Sequence, residues 1–343
     1  MESKRKIRVL VVDDSRLFRE LIKKEIQQDP QIEVIDTASD PFDARDKIIA
    51  HRPDVMTLDV EMPKMNGIEF LRRLMPQYPI PVVVVSSASG NVFDAINAGA
   101  VDFVAKPNYR DPEGSGQFFK ELAFKIKIAS TARLSHLKTQ AAPEPVRQQI
   151  DGCDDYVIAI GSSTGGPEAV SSIFGSLGGG LPGILVVQHM PPVFTRMFAE
   201  RLDANSPFVV KEAADGDKIA PGIALIAPGG LHMKVQKRGR DYVVRCFEGD
   251  KVNGHIPSVD VLFGSVAEVY RNKAVGIILT GMGYDGSKGL LAMKKAGACT
   301  IGQDEQSCVV YGMPKVAFNI GAVDKQMSLS EIPKGIHDML KCR

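Results

Sequence analysis

The sequence predicts an α/β chain of two domains, each built on a mostly parallel sheet. Three observations carry this. Short apolar runs alternate with helical periods from Ile7 to about Ser130, the pattern of strands and helices wound into a parallel sheet. The alternation stops in a polar stretch around Ala141-Ala-Pro-Glu-Pro-Val146, where two prolines make a semi-rigid spacer and a poor core former. It resumes from residue 153 to about 341, broken between Ile223 and Glu248 by a pattern that reads as paired strands. The expected boundaries are 5–128 for the first domain, 129–152 for a linker and 153–343 for the second domain.

A length of 343 residues suits two or three domains, each able to bury its own core. Lys and Arg number 42 against 41 Asp and Glu, so no global field draws the chain to nucleic acid or an anionic membrane. Recognition must be local. The five cysteines form no C-x-x-C pair and no metal-ligand spacing with histidine, which fits a reducing cytosol. Asp13 and Asp14 interrupt the first apolar run, so it does not read as a signal peptide. No apolar stretch reaches the roughly 20 residues of a membrane span. The expectation is a soluble, cytoplasmic protein.

In the first domain, strands are expected at Arg8 to Val12, Glu33 to Ile35, Val55 to Leu58, Val82 to Val85 and, more weakly, Asp102 to Val104. The segment after the first strand places Leu17 and Leu21, and Phe18, Ile22 and Ile26, at i, i+4 spacing, an amphipathic helix. Further helices are expected at Pro41 to Ala50, Gly67 to Met75, Val92 to Ala98 and Gln117 to Ala129. Polar residues fall where the strands end: Asp13 and Asp14, then Asp59, Ser86 and Lys106. The carboxyl ends of strands in an open parallel sheet form its ligand crevice, so these groups should converge. Three carboxylates repel unless a hard cation sits among them. A lysine and a hydroxyl beside them suit an added phosphoryl group, with Asp59 as its acceptor.

In the second domain the most informative stretch is Ile160-Gly-Ser-Ser-Thr-Gly-Gly-Pro-Glu168, a glycine-rich turn between a strand pattern at Tyr156 to Ile160 and a helix start. It presents the hydroxyls of Ser163 and Thr164 beside free backbone N–H groups, the placement a nucleophile needs. It lacks the Gly-Lys-Ser/Thr ending of a P-loop and the spacing of a dinucleotide fingerprint. His189, His232 and His255 compete as its base. His189 stands out because it follows the apolar run Gly183 to Gln188 and precedes Pro191 and Pro192, at another strand end. For the orienting acid, Asp285 lies in a glycine-laced loop after the apolar run from Ala274, with Asp215, Asp217 and Asp260 as rivals. Glycines 281 and 283 let backbone N–H groups, notably that of Met282, approach a reacting carbonyl. Ile223 to Val235 and Tyr242 to Phe247 are expected to pair as a hairpin that extends a mixed sheet.

The motifs Val11-Val-Asp-Asp-Ser15, Leu58-Asp-Val-Glu-Met-Pro-Lys-Met-Asn-Gly67, Val85-Ser-Ser87 and Ala98-Gly-Ala-Val-Asp-Phe-Val-Ala-Lys-Pro107 resemble the receiver domain of two-component response regulators. The resemblance implies a flavodoxin-like sheet, Mg²⁺ at the cluster of Asp13, Asp14 and Asp59, phosphorylation of Asp59 by a chemotaxis histidine kinase, and Ser86, Phe103 and Lys106 as switch residues. The second domain, through Ile160 to Gly166, Gln188-His-Met-Pro191, Ala227-Pro-Gly-Gly230, Leu279 to Gly286 and Tyr311-Gly-Met-Pro314, resembles the chemotaxis protein-glutamate methylesterases. That resemblance implies Ser163 as nucleophile, His189 as base, Asp285 as orienting acid, and Thr164 and Met282 in support. Ser162 departs from the alanine of many members. The implied activity is phosphorylation-regulated hydrolysis of glutamate methyl esters on chemoreceptors, with methanol as product and no cofactor for hydrolysis. The same acyl chemistry implies deamidation of receptor glutamines. A DNA-binding output would need a helix-turn-helix and a basic surface, which the second domain does not offer.

Overall fold

The computed structural model describes residues 5–63, 65–87, 92–107, 112–134 and 153–341. The chain forms two compact units that part near residue 138, and each is described by itself. The expected linker falls outside the described residues from 135 to 152.

The first unit alternates strands and helices: β1 (Ile7–Val12), α1 (Arg16–Ile26), β2 (Ile32–Ala38), α2 (Pro41–His51), β3 (Val55–Asp59), α3 (Gly67–Leu74), β4 (Val82–Ser86), α4 (Val92–Asn97), β5 (Asp102–Ala105) and α5 (Pro112–Ala129). The strands pair in parallel in the order β2-β1-β3-β4-β5, the flavodoxin-like arrangement that the sequence predicts. β3 and β4 are buried on both faces, which is why apolar residues dominate them, with Thr57 and the strand-end Asp59 and Ser86 as their polar members. Helix starts follow their capping chemistry. The Ser15 side chain accepts from the Phe18 N–H, Asp40 accepts from Phe42 and Asp43, and Asn66 accepts from Glu69. Of the two i, i+4 sets in α1, Phe18, Ile22 and Ile26 are buried, while Leu17 is 72% exposed. A helix one layer deep has only one core face, so of the second set Leu17 is left outside and Leu21 is half-buried.

The second unit contains β6 (Val157–Ser162), α6 (Gly166–Ser176), β7 (Gly183–Gln188), α7 (Phe194–Ala204), β8 (Val209–Glu212), β9 (Ile223–Ile226), β10 (His232–Arg238), β11 (Asp241–Phe247), α8 (Val259–Val269), β12 (Ala274–Ile278), α9 (Ser287–Lys295), β13 (Cys299–Gln303), α10 (Met313–Asn319), β14 (Lys325–Met327) and α11 (Ile332–Lys341). Seven strands form a parallel sheet in the order β14-β13-β12-β6-β7-β9-β8. One expectation is corrected here. Ile223–Ile226 is a parallel strand beside β7, and only His232–Arg238 pairs with Asp241–Phe247 in an antiparallel two-stranded sheet of its own. Pro228-Gly229-Gly230 breaks what the apolar pattern alone reads as one arm. Met233, Val235 and Val244 of the hairpin pack with Leu262, Phe263 and Val266 of α8 and with Val157, Ala159, Leu185 and Val187 of the sheet.

The chain runs outward from β6 through β7 to β8 at the edge, inserts β9 between β7 and β8, then returns to build β12, β13 and β14 on the other side. β6 and β12 therefore flank a topological switch point, where an open parallel sheet leaves a crevice at its strand carboxyl ends. No described helix is long and apolar enough to cross a membrane.

His337 in α11 is 2% exposed, and neither ring nitrogen has a hydrogen-bond partner among the described residues. Burial, with help from Lys341, pushes its pKa below the ordinary 6.5. At neutral pH both folded and unfolded chains carry a neutral ring. As pH falls through the unfolded value the unfolded chain gains a proton that the folded chain resists, so stability drops. Thermal melts of the parent and His337→Leu chains should therefore diverge between about pH 7.5 and about pH 5.5, with the variant more stable at the lower pH. A gap that does not change with pH would show that His337 does not contribute to the acid sensitivity.

Candidate active site and acidic cluster

In the second unit the expected nucleophile, base and acid stand beyond the ends of three adjacent strands, β6, β7 and β12. Ser163 follows β6. Its N–H donates to the Thr280 carbonyl at 3.0 Å, and its carbonyl accepts from the Gly166 N–H at 2.7 Å, closing the turn into α6. His189 follows β7, and its N–H donates to the Ser162 carbonyl at 3.1 Å. The backbones that carry Ser163 and His189 are thus tied directly together.

His189 Nε2 lies 2.9 Å from Asp285 Oδ2, with both side chains almost fully buried. An ionised carboxylate only accepts, so Nε2 is the protonated nitrogen and Nδ1 is the basic one. Nδ1 is buried without a partner, and no hydrogen bond joins it to Ser163 here. Catalytic hydrogen bonds of this kind commonly close only when substrate arrives. His255 stacks on the His189 ring, centroids 3.7 Å apart and planes 7° from parallel. Burial and the neighbouring His189 push the His255 pKa down to about 4, so at neutral pH it is an uncharged platform.

Asp285 collects more donors than any other carboxylate described here. Oδ2 also accepts the Val259 N–H at 2.7 Å, and Oδ1 accepts from Asn253 Nδ2 at 2.8 Å, the Ser258 hydroxyl at 2.8 Å and the Asp260 N–H at 3.3 Å. Val259 and Asp260 open α8, so the carboxylate caps that helix from outside its own chain segment, at the positive end of the helix dipole. Burial opposes the charge, but His189 and these donors overcome it and hold the carboxyl well below the usual range.

Gly281, at the start of the Asp285 loop, lies so close to Ser163 that a Cβ there would meet the serine Cβ at 2.6 Å and Met313 Sδ at 2.6 Å. Its N–H donates to Val310 and its carbonyl accepts from Gly312 and Met313, which fixes the peptide against Ser163. The Met282 N–H takes no part in these bonds, and the Met282 side chain is 42% exposed. Thr164 is buried, and its carbonyl accepts from the Thr280 hydroxyl at 3.0 Å.

The rival residues have structural employment. His232 Nδ1 accepts the Ser258 N–H and Nε2 lies 2.9 Å from the Asp250 carbonyl, so both nitrogens are engaged. Asp215 accepts the Cys246 N–H, Asp217 pairs with Lys211 and caps Ala214, and Asp260 accepts from Asn253 and from the Gly289 N–H. Asn253, Ser258 and Gln188 take part in the site although the sequence reading did not select them, and His255, weighed there as a rival base, stacks on His189 instead. Asn253 carries a weak signal, a loop asparagine beside glycine, and it adopts positive φ.

In the first unit Asp13, Asp14 and Asp59 place carboxylate oxygens within 4.8 Å of one another. Lys106 Nζ stands 2.6 Å from Asp59 Oδ2 and 3.0 Å from Asp13 Oδ2. Asp13 Oδ1 accepts the Ser15 N–H, whereas Oδ2 is buried with no aligned donor. Carboxylate oxygens gathered this closely, with Lys106 as their neighbouring cation, suit a hard divalent cation. Burial, opposed by Lys106 and reinforced by Asp13, pushes Asp59 up to about 6. Burial also works against the Lys106 charge, yet Asp59 and Asp13 hold its pKa above the ordinary lysine value. Ser86 ends β4 with its hydroxyl donating to the Ser87 carbonyl at 2.9 Å. Phe103 lies buried in β5, its ring edge-on to Phe93 at 6.3 Å.

The CheB methylesterase family matches residues 158–336, and the response regulator receiver domain matches residues 9–112. A protein-glutamate methylesterase/protein-glutamine glutaminase of Syntrophomonas wolfei is 56% identical over 337 residues, covering 98% of each chain. The protein of the same name from Salmonella typhimurium is 47% identical over 331 residues, 95% of each chain. The crystal structure of the Thermotoga maritima CheB methylesterase catalytic domain superposes with a TM-score of 0.52 at 39% identity, covering 55% of this chain and 98% of that one. With fold, strand-end geometry and near full-length similarity in agreement, the chain belongs to the CheB methylesterase family of protein-glutamate methylesterase/protein-glutamine glutaminases, with a response regulator receiver domain ahead of the esterase domain.

Proposed function

We propose that the chain demethylates glutamate γ-methyl esters on chemoreceptors through an acyl-enzyme on Ser163, under control of phosphorylation at Asp59. The observation that carries the hydrolytic reading is the buried His189–Asp285 pair, which leaves His189 Nδ1 unprotonated and unpartnered at the strand end next to that of Ser163. In this reading Ser163 Oγ attacks the ester carbonyl carbon as His189 Nδ1 takes its proton. Asp285 then stabilises the imidazolium, whose two N–H groups face the substrate and the carboxylate. The oxyanion is met by the Met282 N–H, with Thr164 supporting the turn. His189 returns the proton to the departing methoxide, which leaves as methanol, and water activated by the same nitrogen hydrolyses the acyl-enzyme to a carboxylate. A glutamine amide on the same path releases ammonia, so deamidation needs no further residue. Family similarity supplies the receptor substrate, and the reaction belongs in the cytoplasm, where the kinase and the receptor signalling helices meet.

For the receiver, Asp13, Asp14 and Asp59 are the residues that would hold Mg²⁺, which when bound neutralises charge on the incoming phosphoryl group. Asp59 accepts that group from a histidine kinase. Lys106 is already poised between Asp13 and Asp59, and Ser86 and Phe103 on neighbouring strands are the switch pair.

Methanol release from methylated receptors tests the hydrolytic assignment. Ser163→Ala should abolish activity, and adding His189→Ala should lower it little further, because groups that act as one unit are not additive. Retention of most activity by a folded Ser163→Ala chain would sink the nucleophile. Asp285→Ala should both inactivate and destabilise, by roughly 3 to 5 kcal/mol in urea unfolding, since it strands buried donors and a helix start. A stability loss under about 1 kcal/mol would contradict that account. A small-molecule phosphodonor with Mg²⁺ should raise methanol release by the full chain, and Asp59→Ala should remove the increment. An equal increment without any divalent cation would overturn the cation assignment.

A further inference from the structure

We propose that Gln188 is a positioning residue that holds the nucleophile and the base in register, and that the Ser162 hydroxyl exists to hold Gln188. The inference rests on Ser163 and His189 acting as nucleophile and base. Ser162 and Gln188 are the last residues of β6 and β7 and face each other as register partners. Both are fully buried, and the Ser162 hydroxyl lies 2.6 Å from Gln188 Oε1. Gln188 Nε2 donates to the Ser163 carbonyl at 2.9 Å and to the His189 carbonyl at 3.3 Å.

The direction of each bond follows from the atoms available. Two carbonyls can only accept, so the side-chain nitrogen must face them, and that choice leaves Oε1 pointing at Ser162. The Ser162 hydroxyl must therefore be the donor. This also separates the two neighbouring serines by role: Ser162 spends its proton on a buried amide, and Ser163 keeps its hydroxyl at the crevice. The arrangement needs Gly166, because a Cβ at that position would come within 2.1 Å of Gln188 Oε1 and 2.9 Å of the Ser162 hydroxyl. One amide thus bridges the peptide after Ser163 and the peptide after His189, so that the two strand ends cannot shift independently. Displacements of about 1 Å between reacting groups cost rates of the order of 100-fold, which is what such a bridge prevents.

The test is a double-mutant cycle on the full chain with Ser162→Ala, Gln188→Met and the two combined, reading kcat and KM for methanol release together with thermal midpoints. Gln188→Met keeps the volume and removes the donors. It should lower kcat by about 10- to 100-fold with KM within about threefold, the signature of misplaced reacting groups. Ser162→Ala should lower kcat by about three- to tenfold alone and by nothing further in the Gln188→Met chain, because its effect passes through the amide. Losses that multiply in the double variant, or a folded Gln188→Met chain with unchanged kcat, would overturn the proposal. Should Gln188→Met not fold, Ser162→Ala decides alone, since an unchanged kcat in that variant removes the role given to its hydroxyl. Full activity in Ser163→Ala is a separate result, which would remove the nucleophile and leave the cycle without its premise.

Discussion

A carboxylate at the floor of a protein crevice is tolerable only if it is saturated with donors, and the second unit is arranged around meeting that demand for Asp285. His189 arrives from the end of β7, Asn253 from the loop after the hairpin, and the Ser258 hydroxyl and two N–H groups from the start of α8. His189 is far in sequence from the rest, which all come from the one segment, Asn253 to Asp260, that leads into α8. The charge pulls them together, and each donor that it gains stabilises the ionised form further. The His189 imidazole is therefore oriented by the same interaction that seats a helix on the sheet.

The division of labour between the two units follows from their strand ends. In each, polar side chains gather where parallel strands terminate, since only there do loops leave the core free to carry function. The first unit collects three carboxylates around one lysine, an arrangement whose charges suit the cation and phosphoryl chemistry proposed for it. The second collects one carboxylate, two imidazoles and a hydroxyl, an arrangement built to move one proton.

Much of this was legible from the sequence, because a strand's apolar run followed by a polar residue marks a crevice position directly. Ser163, His189, Asp13, Asp59 and Lys106 declare themselves that way and Asp285 through the glycine-laced loop after β12, and the structure brings Asp285 to His189 and Lys106 to both aspartates. What the sequence hides are partners that come from helix starts and loops far along the chain. Ser258 reads as an ordinary helix cap, yet its hydroxyl serves Asp285 rather than its own helix. Gln188 reads as the last residue of a strand, and only the register of β6 against β7 shows what its amide reaches. The misplaced hairpin arm has a plain cause: four apolar residues in a row do not say whether the neighbour is parallel or antiparallel.

The stacked pair of His189 and His255 bears on a hazard common to all sites that gather histidine and carboxylate. Two imidazoles and an aspartate are, by composition, a ligand set for zinc or nickel, and an ion seated there would occupy the free nitrogen of His189. Ring nitrogens bind metals in the plane of the ring, so two rings share an ion only when their planes turn their lone pairs toward one point. Face-to-face rings 3.7 Å apart and nearly parallel direct those lone pairs side by side. An ion midway between them would sit far out of both planes, a geometry neither ring can ligate. The stack that steadies the His189 ring thereby leaves no point at which both imidazoles could hold one ion.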